Sequence, residues 1–326
     1  MKKRFTVLLL GAFVLTLSGT AVAQDDDLGA LIKKYIGQNA RNYVSPLMAG
    51  WASGLNGGFY HSADIHDILG FDVQVKLTFA GMTEEDKTFQ FRMPDQITYG
   101  IYTLTAGVDY PSEISTPTVI GSDQETVVIA SGSTPAAGQE ILRLPGGLNL
   151  PAAPMIVPQV AIGLPFGIEV IGRFIPTTKL SNAGKVNFLG FGIRHDIDQY
   201  IPLLPLDIAV HFMTQKFNFM DQNDNNLIAA SATAYGVEIS KKLLILTLYG
   251  GFQLESSKWE IGPYTATFTQ GTEQITTVVD KFEIEGKNTS RAIVGVRLLL
   301  AFLNVHADYS FATTPVLTLG AGITFR

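Results

Sequence analysis

Cysteine is absent from all 326 residues, which excludes a disulfide scaffold, thiol catalysis, Cys-ligated zinc and iron–sulfur clusters. Charged residues make up only 16% of the chain, against roughly 25% in an average soluble domain. Positive charge is the scarcer sign, with 23 Lys and Arg against 29 Asp and Glu, so the basic face of a nucleic-acid binder is missing and no nucleic acid is expected as a partner. Past residue 23 no apolar run approaches the ~20 residues of a membrane-spanning helix. Disorder is excluded over most of the chain, because 46% of residues are hydrophobic and the net charge is only −6. What remains is an apolar, glycine-rich chain long enough for one large β domain.

The N-terminus reads as an address. Lys2, Lys3 and Arg4 precede an apolar run over residues 7–15, and Ala21-Val22-Ala23 supplies a small-x-small cleavage site. These are the three regions of a secretory signal peptide spanning 1–23, with cleavage expected after Ala23. An exported chain without a spanning helix is either soluble outside the cytoplasm or a closed barrel in a membrane.

From about residue 165 the sequence alternates. Ile168, Val170 and Phe174 oppose Glu169 and Arg173; Ile208, Val210 and Phe212 oppose Asp207 and His211; Val305, Ala307 and Tyr309 oppose His306 and Asp308. Period two is the signature of strands with one apolar and one polar face. The segments run ten to fourteen residues, longer than the average soluble strand of about five or six and suited to a tilted membrane strand of ~9–11. Tyr200, Phe217, Phe219, Phe302, Tyr309 and Phe311 recur near segment ends, where interfacial girdles form.

Connection lengths sharpen this reading. Short links are expected at 163–165, 240–242 and 302–303, with a longer Pro-rich one at 198–205. Outer connections fall at 178–184, 221–226 and in a long hairpin over 255–288. Short inner turns alternating with longer outer loops are the rule of bacterial barrels. The last strand alternates through Leu317, Leu319, Ala321, Ile323 and Phe325, the form read by outer-membrane assembly machinery.

The N-terminal half is less regular. Residues 27–41 read as a short amphipathic helix through Leu28, Leu31, Ile32, Tyr35 and Ile36, whereas 43–60 carries too much glycine for a helix interior. Residues 24–66 are expected to plug the lumen or cap its periplasmic mouth, with both termini in the periplasm. The first clear strand follows at Phe71, Val73, Val75, Leu77 and Phe79, opening a barrel over 67–326. Long outer loops are expected at 81–154, with one or two further strands inside that interval. The total comes to about twelve strands, within a range of ten to fourteen.

The run 55–63, Leu-Asn-Gly-Gly-Phe-Tyr-His-Ser-Ala, leads into Leu69-Gly70-Phe71-Asp72. With Gly192-Ile193-Arg194-His195-Asp196-Ile197 and Leu204-Pro205-Leu206-Asp207, it resembles an uncharacterised family of bacterial outer-membrane β-barrel proteins. More distantly, the chain is similar to the FadL-type transporters of hydrophobic compounds, whose N-terminal segment plugs the barrel. The resemblance implies an all-β transmembrane barrel in the cell outer membrane and a small hydrophobic ligand as a possible partner beside the membrane lipid.

By the alternation, Glu169, Arg173, Arg194, Asp207, His211, Glu238, Arg291, Arg297, His306 and Asp308 line the lumen, with Glu255 among them. The five histidines include no pair at metal-ligand spacing, so neither a metal nor a cofactor is expected. His306, Asp308 and Ser310 share one strand face about 7 Å apart, too far for a nucleophile–base hydrogen bond, and no catalytic residue is assigned. The best functional reading is therefore passive transport of a small hydrophobic compound. The alternative is a structural or binding barrel with a closed, salt-bridged lumen acting through its outer loops, and a lipid-modifying barrel enzyme is the remote one.

Overall fold

The computed structural model describes residues 37–325 apart from 181–183, 223 and 271–272, with the backbone alone at Leu180, 266–270, 273–275 and Thr277. The expected signal peptide and the part of the expected helix before Gly37 lie outside these residues.

Ten strands form a closed antiparallel meander: β1 (Phe71–Gly81), β2 (Ala152–Leu164), β3 (Ile168–Leu180), β4 (Gly184–Asp196), β5 (Asp207–Met220), β6 (Asn226–Leu243), β7 (Leu246–Ile261), β8 (Ser290–Leu300), β9 (Leu303–Phe311) and β10 (Val316–Phe325). Each pairs with its neighbours in sequence, and β1 closes the ring on β10 from Phe71↔Phe325 to Ala80↔Val316. Ten is the lower end of the expected range. The difference from twelve lies in residues 82–151, whose strands pair only among themselves: 88–92 with 113–117, 96–99 with 102–105, and 126–129 with 140–144. A further strand, 282–285, extends the top of β7.

The alternation sorts side chains as membrane solvation demands. Outward residues form an apolar belt, among them Val73, Phe191, Val237, Val296, Val305 and Leu319, all more than a third exposed. An uncovered belt of this kind right around a closed barrel is a lipid-facing surface. Inward positions on the same strands are buried and mix polar side chains such as Gln74, Arg194, Glu238, Arg297, His306 and Thr318 with small or apolar ones such as Phe188, Ala234 and Ile293. Phe217 and Phe219 depart from the expected girdle: both point inward and are buried, Phe217 packing on Trp51 and Trp259 at 6.2 and 5.8 Å between ring centroids. Above the belt, the inner face of β5 meets an apolar plug, so aromatic residues are retained inside.

The lumen is filled by helix α1 (Gly37–Leu55) and the extended segment 56–69. The helix runs through the glycines expected to break it. A helix enclosed on all sides needs little room between itself and the wall, and there glycine is a packing residue. A Cβ at Gly50 would sit 2.5 Å from Ala153 Cβ, and one at Gly54 would sit 2.8 Å from Thr78 Oγ1. Pro46 lies inside the helix and removes one backbone donor.

The plug runs from the long-loop end to the short-turn end. Gly37 begins at the long-loop end, where Asn39 exchanges hydrogen bonds with the Arg92 backbone and Tyr43 Oη donates to Gly146 O at 3.0 Å. The chain then descends to the short-turn end, where His66 meets Glu169 and Thr324, before β1 rises. Gly37 and the C-terminal strand end therefore lie at opposite mouths, while the expected periplasmic N-terminus at residue 24 lies outside the described residues. Since the chain has no cysteine, Gln38→Cys gives a clean topology test. An impermeant maleimide is expected to label it on intact cells, and to label Leu203→Cys, fully exposed on a short-turn-end link, only after permeabilisation.

Residues 82–151 fold over the outer mouth as a cap. Its buried residues, including Met93, Ile97, Leu104, Tyr110 and Ile141, belong to one apolar cluster with Ala40, Tyr43, Val44 and Leu47 of α1. The upper half of the helix is thus the floor of the cap and its lower half the stopper of the barrel.

Candidate functional site

Three groups of lumen side chains grip the plug. At the upper level, Arg291 makes a bidentate pair with Glu255, Nε to Oε2 and Nη2 to Oε1, both at 2.7 Å, and Nη2 also donates to Ser53 O at 2.8 Å. Gln253 donates both to Glu255 and to Asn56 O. Two parallel charged hydrogen bonds fix the guanidinium plane as well as its position.

The middle clamp holds a helix end. Arg173 is fully buried and donates to Leu55 O, Gly57 O and Gly58 O at 2.9–3.0 Å, and to Gln159 and Gln215. Its guanidinium also stacks 4.4 Å over the Phe59 ring. The last carbonyls of a helix carry partial negative charge and lack intrahelical donors, so a buried cation finds there the partner that a carboxylate supplies elsewhere.

The lower group is an ionic node. Arg194 reaches Glu238 through Nε at 3.0 and 3.2 Å and Glu169 through Nη1 at 2.7 Å, and Nη2 bonds Ser62 O. His66 Nδ1 lies 2.6 Å from Glu169 Oε2, and His211 Nδ1 lies 2.9 Å from Glu238 Oε1. Close by, Ala63 N donates to Ser240 Oγ, which donates to Asp207.

Nine of the ten residues expected to line the lumen, all but Asp207, are buried inside the barrel, and Asp207 is half-buried at its lower rim. Arg194, Glu169, Glu238 and His211 come together in one node and Arg173 and Arg291 stand apart in two others, while His306 and Asp308 face the plug from β9 beside Lys76 and Tyr249. The uncharged half of the grip is not singled out in the sequence: alternation puts Gln215 and Ser240 on the polar strand face without marking them, and Gln159 and Gln253 are missed. Glutamine and serine are common on any solvated strand face, and nothing in their spacing marks them as plug contacts. Among the described residues no cluster of three potential ligands is placed to hold a metal ion.

The barrel wall has one interruption. β2 and β3 pair from Leu164↔Ile168 only as far as Gln159↔Arg173, so their upper halves, 152–158 and 174–180, run without a ladder between them. β2 meanwhile stays paired with β1 from Ala152 to Ile162, through the whole of the gap. Proline accounts for the gap: Pro154 and Pro158 share one strand parity and lack N–H groups, and Pro176 stands on the facing strand. Trp51 Nε1 donates to Pro154 O at 3.1 Å from inside the lumen. Behind the gap is a cavity of about 20 Å³ lined wholly by apolar residues, including Trp51, Leu55, Val157, Ile175, Phe188 and Phe217. It lies level with Phe79, in the upper half of the lipid-facing belt.

No curated protein matches the chain. Among solved structures it is similar, at 9% identity and a TM-score of 0.26, to Ail, the attachment invasion locus protein of Yersinia pestis, over 79% of this chain and 100% of that one. It is similar at 12% identity and 0.28 to the translocator domain of the autotransporter NalP from Neisseria meningitidis, over 86% and 93%. A loop-deletion mutant of OmpT, an outer membrane protein of Vibrio cholerae, matches at 10% and 0.25 over 78% and 98%. Likenesses this loose say nothing of activity. The family match is of another order, since it runs over residues 1–325, and the chain belongs to the family of unknown function DUF6588.

Proposed function

We propose that the protein is an exported outer-membrane β-barrel, processed after Ala23 and inserted through its C-terminal strand, that passes a small hydrophobic compound sideways between the outer leaflet and its lumen. The observation that carries this reading is the unpaired stretch between β2 and β3 with the apolar cavity behind it. An axial route is a poor fit, because the plug is clamped at three levels and a hydrophobic compound would have to cross buried ion pairs. At the gap it meets only apolar side chains. The cavity holds about one water, so Trp51, hydrogen-bonded to the gap edge, is the side chain that must swing for a ligand to enter. No catalysis belongs to this reading.

The test uses the natural absence of cysteine. Ile175→Cys, modified with a benzyl methanethiosulfonate, places a ring in the gap. Influx of the hydrophobic fluorophore phenylnaphthylamine into outer-membrane vesicles is expected to fall at least fivefold and to recover with dithiothreitol. Phe174→Cys, whose side chain faces lipid, is expected to label without effect. Unchanged influx at full labelling of Ile175→Cys would overturn the lateral route. The cored cap favours a second reading, a barrel that anchors a surface module, and that outcome would leave it standing.

A further inference from the structure

A different part of the wall carries a second cavity. β7 changes partner along its length: it pairs with β8 up to Leu254↔Ser290 and with strand 282–285 from Lys258↔Glu285 onward. Between these ladders only two backbone bonds remain, Glu255 N to Thr289 O and Gly286 N to Ser257 O. The change of partner leaves a notch of about 280 Å³, lined by Thr233, Ser256, Ser257, Lys258, Glu285 and Thr289 among others. Gly286 is what lets the chain pass this close to β7, for a Cβ there would collide with Ser257 Oγ.

Position and chemistry narrow the ligand. On β6 and β7 the exposed lipid-facing residues Tyr235, Phe252 and Leu254 lie directly below, and the exposed residues above them, Ser231, Ser256 and Lys258, are polar, so the notch sits at the level of the outer headgroups. Five of its eleven lining residues, Ser231, Thr233, Ser256, Ser257 and Thr289, carry hydroxyls, which both donate and accept. The charges there are already committed: Lys258 Nζ lies 2.8 Å from Glu283, and Glu255 is held by Arg291. Among the lining residues Lys258 is the one cation against Glu255 and Glu285, with Lys216 beside Ser231 on the next strand, so the lining itself disfavours a phosphate. We propose that the notch binds the uncharged hydroxyls of a hexose-type carbohydrate, presented by a glycolipid of the outer leaflet.

The full-length protein in detergent micelles, immobilised through a tag, tests this against three probes: lipopolysaccharide, free maltohexaose and phosphatidylglycerol. Retention of lipopolysaccharide is expected, with at least a tenfold loss in Ser256→Trp, which fills the notch, and a partial loss in Thr233→Val, which removes one hydroxyl at nearly constant volume. Competition by maltohexaose at millimolar concentration would assign the same chemistry to a soluble sugar as well; its failure would confine the site to the lipid-borne one. Retention that is equal in wild type and in a Ser256→Trp variant with normal heat-modifiability, or equal retention of phosphatidylglycerol, would overturn the proposal. If Ser256→Trp does not fold, Thr233→Val decides, and unchanged retention there overturns the proposal equally.

Discussion

Arg194→Ala is expected to cost about 3–5 kcal/mol, because it strands two buried carboxylates, Glu238 and Glu169, that share its guanidinium. The penalty comes less from the bonds lost than from leaving acceptor-only charges in a site where both side chains are at most 1% exposed. It would appear as a fall in the temperature at which the compact band of the unboiled protein converts to the extended band on a gel. The triple variant Arg194→Met, Glu169→Gln, Glu238→Gln is expected to regain most of the loss, since no charge is then left without its partner. If Arg194→Ala migrates and melts like wild type, the node does not clamp the plug. Ser62 O and the His66 Nδ1 contact with Glu169 make the same node a fastening of the plug, so loosened protease protection of 56–66 should accompany the lower transition.

Gly50→Leu is expected to convert a silent barrel into a conducting one. The new side chain has nowhere to go: its first carbon alone would fall 2.5 Å from Ala153 Cβ and 2.2 Å from Met82 Cε. Met82 can bend aside, but Ala153 belongs to β2 and is held by the pairing with Ala80. Overpacking of this kind costs about 1–3 kcal/mol when the structure can yield. The part able to yield is α1, which is joined to the wall by side chains, whereas the strands are joined by ladders. In planar bilayers wild type should show no steps above the bare lipid, and Gly50→Leu should show stepwise currents as the helix leaves the lumen. Gly172→Ala is the control, because a Cβ at that position meets nothing within 4 Å. Currents equal to wild type in a folded Gly50→Leu barrel would mean that the helix is not the stopper.

Much of this was legible in the chain. Alternation places side chains on two faces wherever a strand is long and straight, so the lumen residues from Glu169 to Asp308 could be assigned before any pairing was known. Barrel hairpins join neighbours through short links, so the order of the meander from β2 onward followed from the spacing of the turns, although the link expected at 240–242 belongs to β6 and the chain turns instead at Leu244 and Ile245. What sequence could not decide is what fills the space inside. Helix propensity counts Gly50 and Gly54 as breakers, and that holds for a helix in water. Inside a barrel the same glycines let the helix approach the wall, and packing outweighs a propensity cost of about 1 kcal/mol each. Nor does alternation say which mouth the plug enters from, because a filler segment has no strand phase, and only the contacts of Asn39 with Arg92 above and His66 with Thr324 below fix its direction. The sequence by itself determined the two-faced strands, their order and their lumen charges, because period two is a local property. Only the tertiary structure decided that those charges clamp a helix, that Pro154, Pro158 and Pro176 open the ladder between β2 and β3, and that the cap and the plug share one core, because each depends on which distant residues the closed ring brings face to face.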